Sequence, residues 1–410
     1  MTQTDQQNVP KLRFPGFNSA WERFAINEII RGYRLGGNYE NSETPTDKPL
    51  IKMGNLRRGS MDVSRLEYVP AEVKVDPKDR ISEGDLFFNT RNTLDLVGKV
   101  AIWRNELPTA YYNSNLLKID FDDTEFMNYR FNDSKGLKAL KRIASGTTSV
   151  AAIYTKDFLK VKLQLPTLPE QRKIAGFLGV VDTKIAQLAE KKRLLEDYKK
   201  GCMQRLFSQK NRFKDDTGND FPDWEEKRLG EVATFSKGKG ISKADIAEDG
   251  ATPCIRYGEI YTLYREHITE VRSSTDVSRD SLYLSQSQDV IIPASGEDPL
   301  DMARACCVED AGIALGGDIN ILRGAPNGVF LAYYLNNAKR KEIARYAQGN
   351  SVVHLYASKM RNLSVSLPHQ DEQCKIADFL SALDRKIDLV CQELDHARTF
   401  KRGLLQQMFV

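Results

Sequence analysis

The sequence predicts a mixed α/β (α+β) chain: two globular heads joined by two long helices that form an antiparallel coiled coil, with an internal pseudo-two-fold repeat. Three observations predict it. Residues 165–207 and 367–409 align without a gap at an offset of 202 residues, with 16 identities in 43 positions. Both copies place apolar residues on a 4-3 spacing for more than four heptads, long enough to argue for a coiled coil. The stretch before each copy reads as short strands with one or two helices, punctuated by Gly, Asn, Ser and Thr.

The repeat is specific. Leu165-Pro166, Glu170-Gln171, Lys173-Ile174-Ala175, Phe177-Leu178, Asp182, Lys184-Ile185 and Phe207 return as Leu367-Pro368, Glu372-Gln373, Lys375-Ile376-Ala377, Phe379-Leu380, Asp384, Lys386-Ile387 and Phe409. Fainter echoes run through the rest: Trp21-Glu22 with Trp224-Glu225, Pro49-x-Ile51 with Pro253-x-Ile255, and Gly146…Tyr154 with Gly349…Tyr356. A period of about 200 residues is far longer than that of a solenoid, so it marks duplication of a whole unit. The expected division is 1–165 for the first head, 166–210 for the first helical spacer, 211–366 for the second head and 367–410 for the second spacer.

In the first helix the seam is Ile174, Leu178, Val181, Ile185, Leu188, Leu195, Cys202 and Leu206, with Lys192 and Lys199 at its two remaining positions. The second seam runs from Ile376 through Leu380, Leu383, Ile387, Val390, Leu394, Ala397, Lys401 and Leu404 to Met408. Prolines and an acidic first turn (Glu170, Glu372) mark the starts. About 40 residues make each helix roughly 60 Å long. A two-fold axis relating the copies makes them antiparallel, and the expected product is a dumbbell. The lysines in the seam are expected to snorkel.

In the first head, strands are expected at Leu50–Met53, Asp85–Asn89, Lys99–Trp103 and Leu116–Phe121, with a helix over Phe126–Ile143. In the second they are Cys254–Tyr257, Asp289–Ile292, Arg304–Val308 and Ile319–Arg323, with a helix over Val329–Tyr346. A last strand (Leu159–Leu165, Leu363–Leu367) feeds each long helix.

The chain has 410 residues, 28% of them charged, a net charge of +4 and a mean hydropathy of −0.47, as in an ordinary soluble protein. No apolar run is long enough to cross a bilayer and the polar first residues do not form a signal peptide, which points to the cytoplasm. Six cysteines without C-x-x-C or zinc spacing read as free buried or semi-buried thiols. Residues 168–210 hold ten Lys/Arg against five Asp/Glu, which fits a solvated helix face or phosphate contacts.

Catalysis needs groups that this chain barely supplies. The four histidines are scattered, and no H-E-x-x-H, G-x-S-x-G or P-loop motif is present. Gly238-Lys239-Gly240 lacks the glycine that would complete a dinucleotide fingerprint and reads as a plain loop. A non-catalytic chain and no metal site are therefore expected.

The run Gly146-Thr147-Thr148-Ser149 with L-P-x-L-x-E-Q-x-x-I-A at Leu165–Ala175, repeated around Leu367–Ala377, resembles the specificity subunit of type I restriction–modification systems. The resemblance covers essentially the whole chain. The second copy departs from it where Asp371 stands for Pro169 and Cys374 for Arg172. It implies that each head is a target-recognition domain for one half of a bipartite double-stranded DNA site, that the spacer sets the gap, and that two methyltransferase subunits dock on the chain. Two restriction subunits complete the assembly. S-adenosylmethionine, ATP and Mg2+ are then expected in those partners, with no cofactor in this chain. A coiled-coil adaptor that does not bind DNA is the alternative.

Base-reading groups should lie in loops and offer bidentate polar atoms. In the first head the candidates are Lys52, Asn55, Arg57 and Arg58, then Asn89, Arg91 and Asn92, then Thr147, Thr148, Ser149, Tyr154 and Lys156. In the second they are Arg256, Tyr257, Glu259 and Tyr261, then Ser295, then Asn350, Ser351, His354, Tyr356 and Lys359. Each also fits an ordinary surface-loop role, and the pairs that stay alike, Gly54/Gly258 and Tyr154/Tyr356, favour a structural one.

Overall fold

Strands with no polar side face organise each half of the protein. The computed structural model describes residues 9–349 and 353–410. They form two compact units, one of residues up to Leu188 with Glu393–Val410, the other Ala189–Gln392. Each unit therefore takes one head, the first part of the helix that follows that head, and the last part of the other helix.

In the first unit a four-stranded antiparallel sheet runs in the order Gly32–Leu35, Leu116–Asp120, Leu86–Asn89, Val100–Ile102. Leu86 and Phe88 face the helices Thr124–Asn132 and Ser134–Ile143, packing on Phe126, Phe131 and Leu140. Phe87 points the other way, into a second core with Ile51, Trp103 and Tyr112. A strand buried on both faces needs a continuous apolar run, which Leu86-Phe87-Phe88 supplies. The expected single helix over Phe126–Ile143 is in fact two. Asp133 breaks it by accepting from Lys135 N at 2.7 Å and Gly136 N at 2.8 Å, an N-cap in mid-run.

The second unit repeats the plan with a five-stranded sheet: Thr234–Lys237, Ile319–Arg323, Asp289–Pro293, Cys306–Val308 and His267–Ile268. Its helix is also interrupted, here by a π-turn over Leu335–Lys339 where Asn336 bonds both N and O of Ala305. The strand expected at Cys254–Tyr257 lies earlier, at Thr252–Ile255, and that expected at Arg304–Val308 is shortened to Cys306–Val308.

A short strand missing from the sequence reading closes each head. Glu22–Ala25 pairs antiparallel with Lys162–Leu165, and Glu225–Arg228 pairs with Ser364–Leu367. The second strand of each pair leads into a long helix, Leu168–Phe207 or Gln370–Met408.

The helix segments pair antiparallel within each unit. In the second, Leu206 clusters with Ile376 and Leu380 while Lys199 meets Asp384. In the first, Leu404 and Met408 cluster with Ile174 and Leu178 while Lys401 meets Asp182. Lys199 does not snorkel: it is 9% exposed and ion-paired. Glu372 does more than face a helix dipole. It is fully buried and accepts from Arg212 and from Trp224 Nε1 at 3.3 Å. The motif glutamines are equally local, Gln171 and Gln373 each donating to the proline carbonyl that precedes the helix at 2.9 Å.

The six cysteines are free, with Cys254, Cys306 and Cys307 buried but Cys374 exposed, unlike the semi-buried state expected of it. Among the described residues no helix is long and apolar enough to cross a membrane, and no group of three or more His, Cys, Asp or Glu could hold a metal ion.

Candidate nucleic-acid interface

Two of the three loops expected to carry the first head's contacts are one structure. Arg91–Asn92 pairs with Ala151–Ala152, which pairs with Ser145–Gly146, making a small sheet whose hairpin tip is Thr147–Val150. Thr148 O accepts from Leu94 N at 3.1 Å and Thr90 O from Ile153 N at 2.9 Å, locking the two loops together. Gly146 makes the hairpin possible: its φ is +126°, and a Cβ there would lie 2.3 Å from Val150 O. Gly349, with φ +137°, takes the matching place in the second head.

On this platform Arg91, Thr147, Thr148, Ser149, Tyr154 and Lys156 are exposed, and Asn92 is half-buried with its Oδ1 accepting from Thr93 N at 2.8 Å. Among the described residues the Arg91 guanidinium has no ion-pair partner, while Thr147 and Ser149 hydroxyls face each other at 3.3 Å. Lys156 Nζ lies 6.0 Å from the centre of the Tyr154 ring, at the edge of cation–π range. The rings of Tyr154 and Tyr356 are 54% and 52% exposed, so neither is the packing residue that their likeness suggests.

Asn89 belongs to a different category. It is fully buried, its Oδ1 accepting from Arg91 N at 3.2 Å, so it shapes the turn and presents nothing outward. Asn55 is 8% exposed and spends its whole amide on the backbone: Oδ1 accepts from Lys52 N, and Nδ2 donates to Asp62 O and Arg65 O. Both are corrected from base readers to loop builders.

The remaining first-loop cations are partly engaged. Lys52 Nζ pairs with Glu67 at 2.7 Å, Arg57 with Asp62 at 2.7 Å, and Arg58 Nη2 donates to Asp95 O at 3.1 Å. Hydrogen bonds from Ser64, then the Arg57 guanidinium, hold the Asp62 carboxyl down at about 2. The open hollow beside them is also lined by Arg65, an exposed cation that sequence reasoning passed over. Open space surrounds the Cα of Gly54, so no close approach requires glycine there.

In the second head a matching hollow is lined by Arg256, Tyr257 and Tyr261, together with Lys243. Lys243 was also missed, because its loop follows the Gly238-Lys239-Gly240 run. Tyr257 is exposed and Tyr261 half-buried. Glu259 is 4% exposed and consumed by Arg256 N, Arg256 Nη2 and Ser273 Oγ, so it too builds the loop. Ser295 is 6% exposed; Ser295–Gly296 pairs with Val353–His354, repeating the fusion of loops seen in the first head. His354, Tyr356 and Lys359 are exposed there, the two rings 6.2 Å apart. Asn350 and Ser351 lie outside the described residues.

The fold and these paired platforms define a duplicated recognition protein. The sequence profile of the type I restriction modification DNA specificity domain matches twice, over residues 18–197 and 222–397. The chain belongs to that family, and its role there is DNA sequence specificity, not catalysis. The chain is 24% identical to the type I restriction enzyme MjaX specificity subunit of Methanocaldococcus jannaschii, over 98% of this chain and 95% of that protein. It is 23% identical to the MjaIX specificity subunit of the same organism, over 84% of this chain and 80% of the other. The fold is similar to a crystal structure of the S subunit of a type I restriction–modification system from M. genitalium. That likeness has a TM-score of 0.63 at 16% identity and spans 98% of this chain and 99% of the other.

Proposed function

We propose that each head reads one part of a two-part double-stranded DNA site for a type I restriction–modification complex. The observation that carries this reading is duplication with divergence. The same backbone pairing builds a fused-loop platform in both units, at Arg91–Asn92 with Ala151–Ala152 and at Ser295–Gly296 with Val353–His354. The side chains on it differ, Arg91, Asn92 and Ala152 in one head against Ser295, Gly296 and His354 at the same register positions in the other. A conserved platform with changed contact groups suits two unrelated half-sites. On the first platform Arg91, Asn92, Thr147, Thr148, Ser149, Tyr154 and Lys156 meet the DNA, with Lys52, Arg57 and Arg58 flanking; on the second, Arg256, Tyr257, Tyr261, His354, Tyr356 and Lys359.

The partners in this reading are two methyltransferase subunits and, in the full complex, two restriction subunits. Tyr198 and Phe400, 55% and 56% exposed at matching positions of the long helices, support two like docking sites. S-adenosylmethionine, ATP and Mg2+ serve those subunits.

The test is the adenine methylome of cells expressing this chain with its methyltransferase, against cells lacking the chain. A new motif of two short blocks split by a fixed gap is expected. An active methyltransferase with no chain-dependent motif would sink the proposal.

A further inference from the structure

In each unit one carboxylate ties three elements together. Asp384, on the second long helix, accepts from Lys199 Nζ of the first helix at 2.7 Å, from Tyr333 Oη of the head at 2.5 Å and from Arg265 Nη1 at 3.0 Å. Asp182, on the first long helix, accepts from Tyr129 Oη of its head at 2.7 Å and pairs with Lys401 Nζ of the second helix at 2.5 Å. Each lysine also lies over the tyrosine of its own node, 5.0 Å from the ring centre for Lys199 and 5.4 Å for Lys401. The aspartates and lysines match at an offset of 202 and the tyrosines at 204, so the node was duplicated with the unit.

A charged group in an apolar seam is a poor stability device, because desolvation cancels most of the attraction. Its best-attested use is to specify register. The apolar seam repeats every heptad and so does not by itself discriminate against a slip of seven residues. A slip would bring Ala175 or Ala189 to the place of Asp182, and Ala377 or Cys391 to that of Asp384. Each lysine would then be held in the seam without its carboxylate, and the head tyrosine would lose its acceptor.

We infer that Asp182–Lys401–Tyr129 and Asp384–Lys199–Tyr333 are positioning nodes that fix each head's register on the helix pair, and through it the gap accepted between the two parts of the DNA site. This rests on the two-part reading proposed above, and the test separates the two.

The assay uses the full chain assembled with its methyltransferase, on duplexes carrying both half-sites at the gap found in the methylome and at gaps about three base pairs shorter and longer, the distance spanned by a seven-residue slip of about 10 Å. The wild-type chain is measured first, and a lack of any gap-dependent methylation overturns the two-part reading itself. Given a wild-type preference, the apolar pair Asp182→Leu with Lys401→Met is expected to raise the off-gap to native-gap rate ratio about tenfold. The swap Asp182→Lys with Lys401→Asp is expected to bring the ratio back to within about twofold of wild type, since it restores the pair. An unchanged ratio in the apolar variant, or a swap that rescues nothing, overturns the inference. Tyr129→Phe removes one hydroxyl and leaves the seam intact, so it reads the node even if the charge variants fail to fold. It is expected to raise the ratio about threefold; lowered thermal stability at an unchanged ratio would make the node merely structural and overturn the inference as well.

Discussion

Arg13 closes on Glu170 with two parallel hydrogen bonds, Nε to Oε1 and Nη2 to Oε2, both 2.7 Å, while a further bond from Nη2 reaches Ser19 O. The carboxylate is 1% exposed, at the start of the first long helix. Arg212 and Glu372 repeat the arrangement in the second unit, with Pro222 O in place of Ser19 O. The segment before each head is thus strapped across the start of the helix that leaves it. Phe14 on Phe177 and Phe213 on Phe379, edge to face at 5.6 and 5.8 Å, complete each strap.

Removing the arginine leaves a buried carboxylate without its counter-charge, the expensive way to break such a pair. Arg13→Ala and Arg212→Ala are each expected to cost about 3–5 kcal/mol. Replacing both partners of one strap by apolar residues should cost much less. Urea unfolding of the three variants checks this; equal losses for single and double replacements would refute it.

The same strap shows what the sequence could and could not reveal. The heptads were readable because their period is carried by neighbours in the chain, and nearly every seam residue is buried or half-buried. The partner of Glu170 lies 157 residues away, and nothing around Arg13 announces it. The head-closing strands Glu22–Ala25 and Glu225–Arg228 were missed because they are mostly exposed and polar, without the alternation that marks a strand. Asn132-Asp133-Ser134 was a readable helix break, since Asp is a strong N-cap, but the apolar periodicity on either side masked it.

The candidate interface divided along a similar line. Loop positions were readable from Gly and polar clusters, and the platform does gather Arg91 with the Thr147–Ser149 tip. Direction was not readable. Asn55, Asn89 and Glu259 are polar loop residues like the others, yet each turns inward to saturate nearby backbone. Sequence type alone does not separate a side chain that builds a loop from one that the loop presents.

Thiol chemistry should sort the cysteines by burial. Desolvation pushes Cys254 up to about 11 and Cys306 up to about 12, and drives Cys307 higher still. Only Cys374 is exposed. A thiol reagent at pH 8 should therefore label Cys374 fast, Cys202 and Cys391 slowly, and the three buried thiols only after denaturation. Rapid labelling of Cys306 or Cys307 in the native protein would contradict the packing described.

Acid should loosen the Arg57 loop late. The Asp62 carboxyl is depressed to about 2 from an ordinary 3.8, first by Ser64 and then by Arg57. A depressed carboxylate contributes stability above its unfolded value and loses it as pH falls through the folded one. The loop's order should thus persist at pH 4 and decline between about 4 and 2. Carboxyl carbon titration by NMR measures this, and Arg57→Ala should raise the Asp62 midpoint only in part because Ser64 is the larger cause. A wild-type midpoint near 3.8 would rule the loop geometry out.

Presented and built-in polar groups should respond in opposite ways to truncation. Arg91→Ala removes from the platform an exposed guanidinium that has no ion-pair partner among the described residues, so the fold should be indifferent. If Arg91 reads a base, DNA affinity should fall by about 1–3 kcal/mol and discrimination at one position should relax. If it meets only phosphate, affinity should fall evenly across sequences and the salt dependence should weaken by about one unit of slope. Asn55→Ala instead strips three backbone groups of their partner and should destabilise the first head by about 1–3 kcal/mol. Its sequence preference should survive once the variant is assayed below its melting temperature. Binding isotherms over a panel of single-base variants, with thermal melts of the same proteins, separate these outcomes. An Asn55→Ala protein of wild-type stability with altered base preference would restore that residue to the interface and overturn the inward reading of its amide.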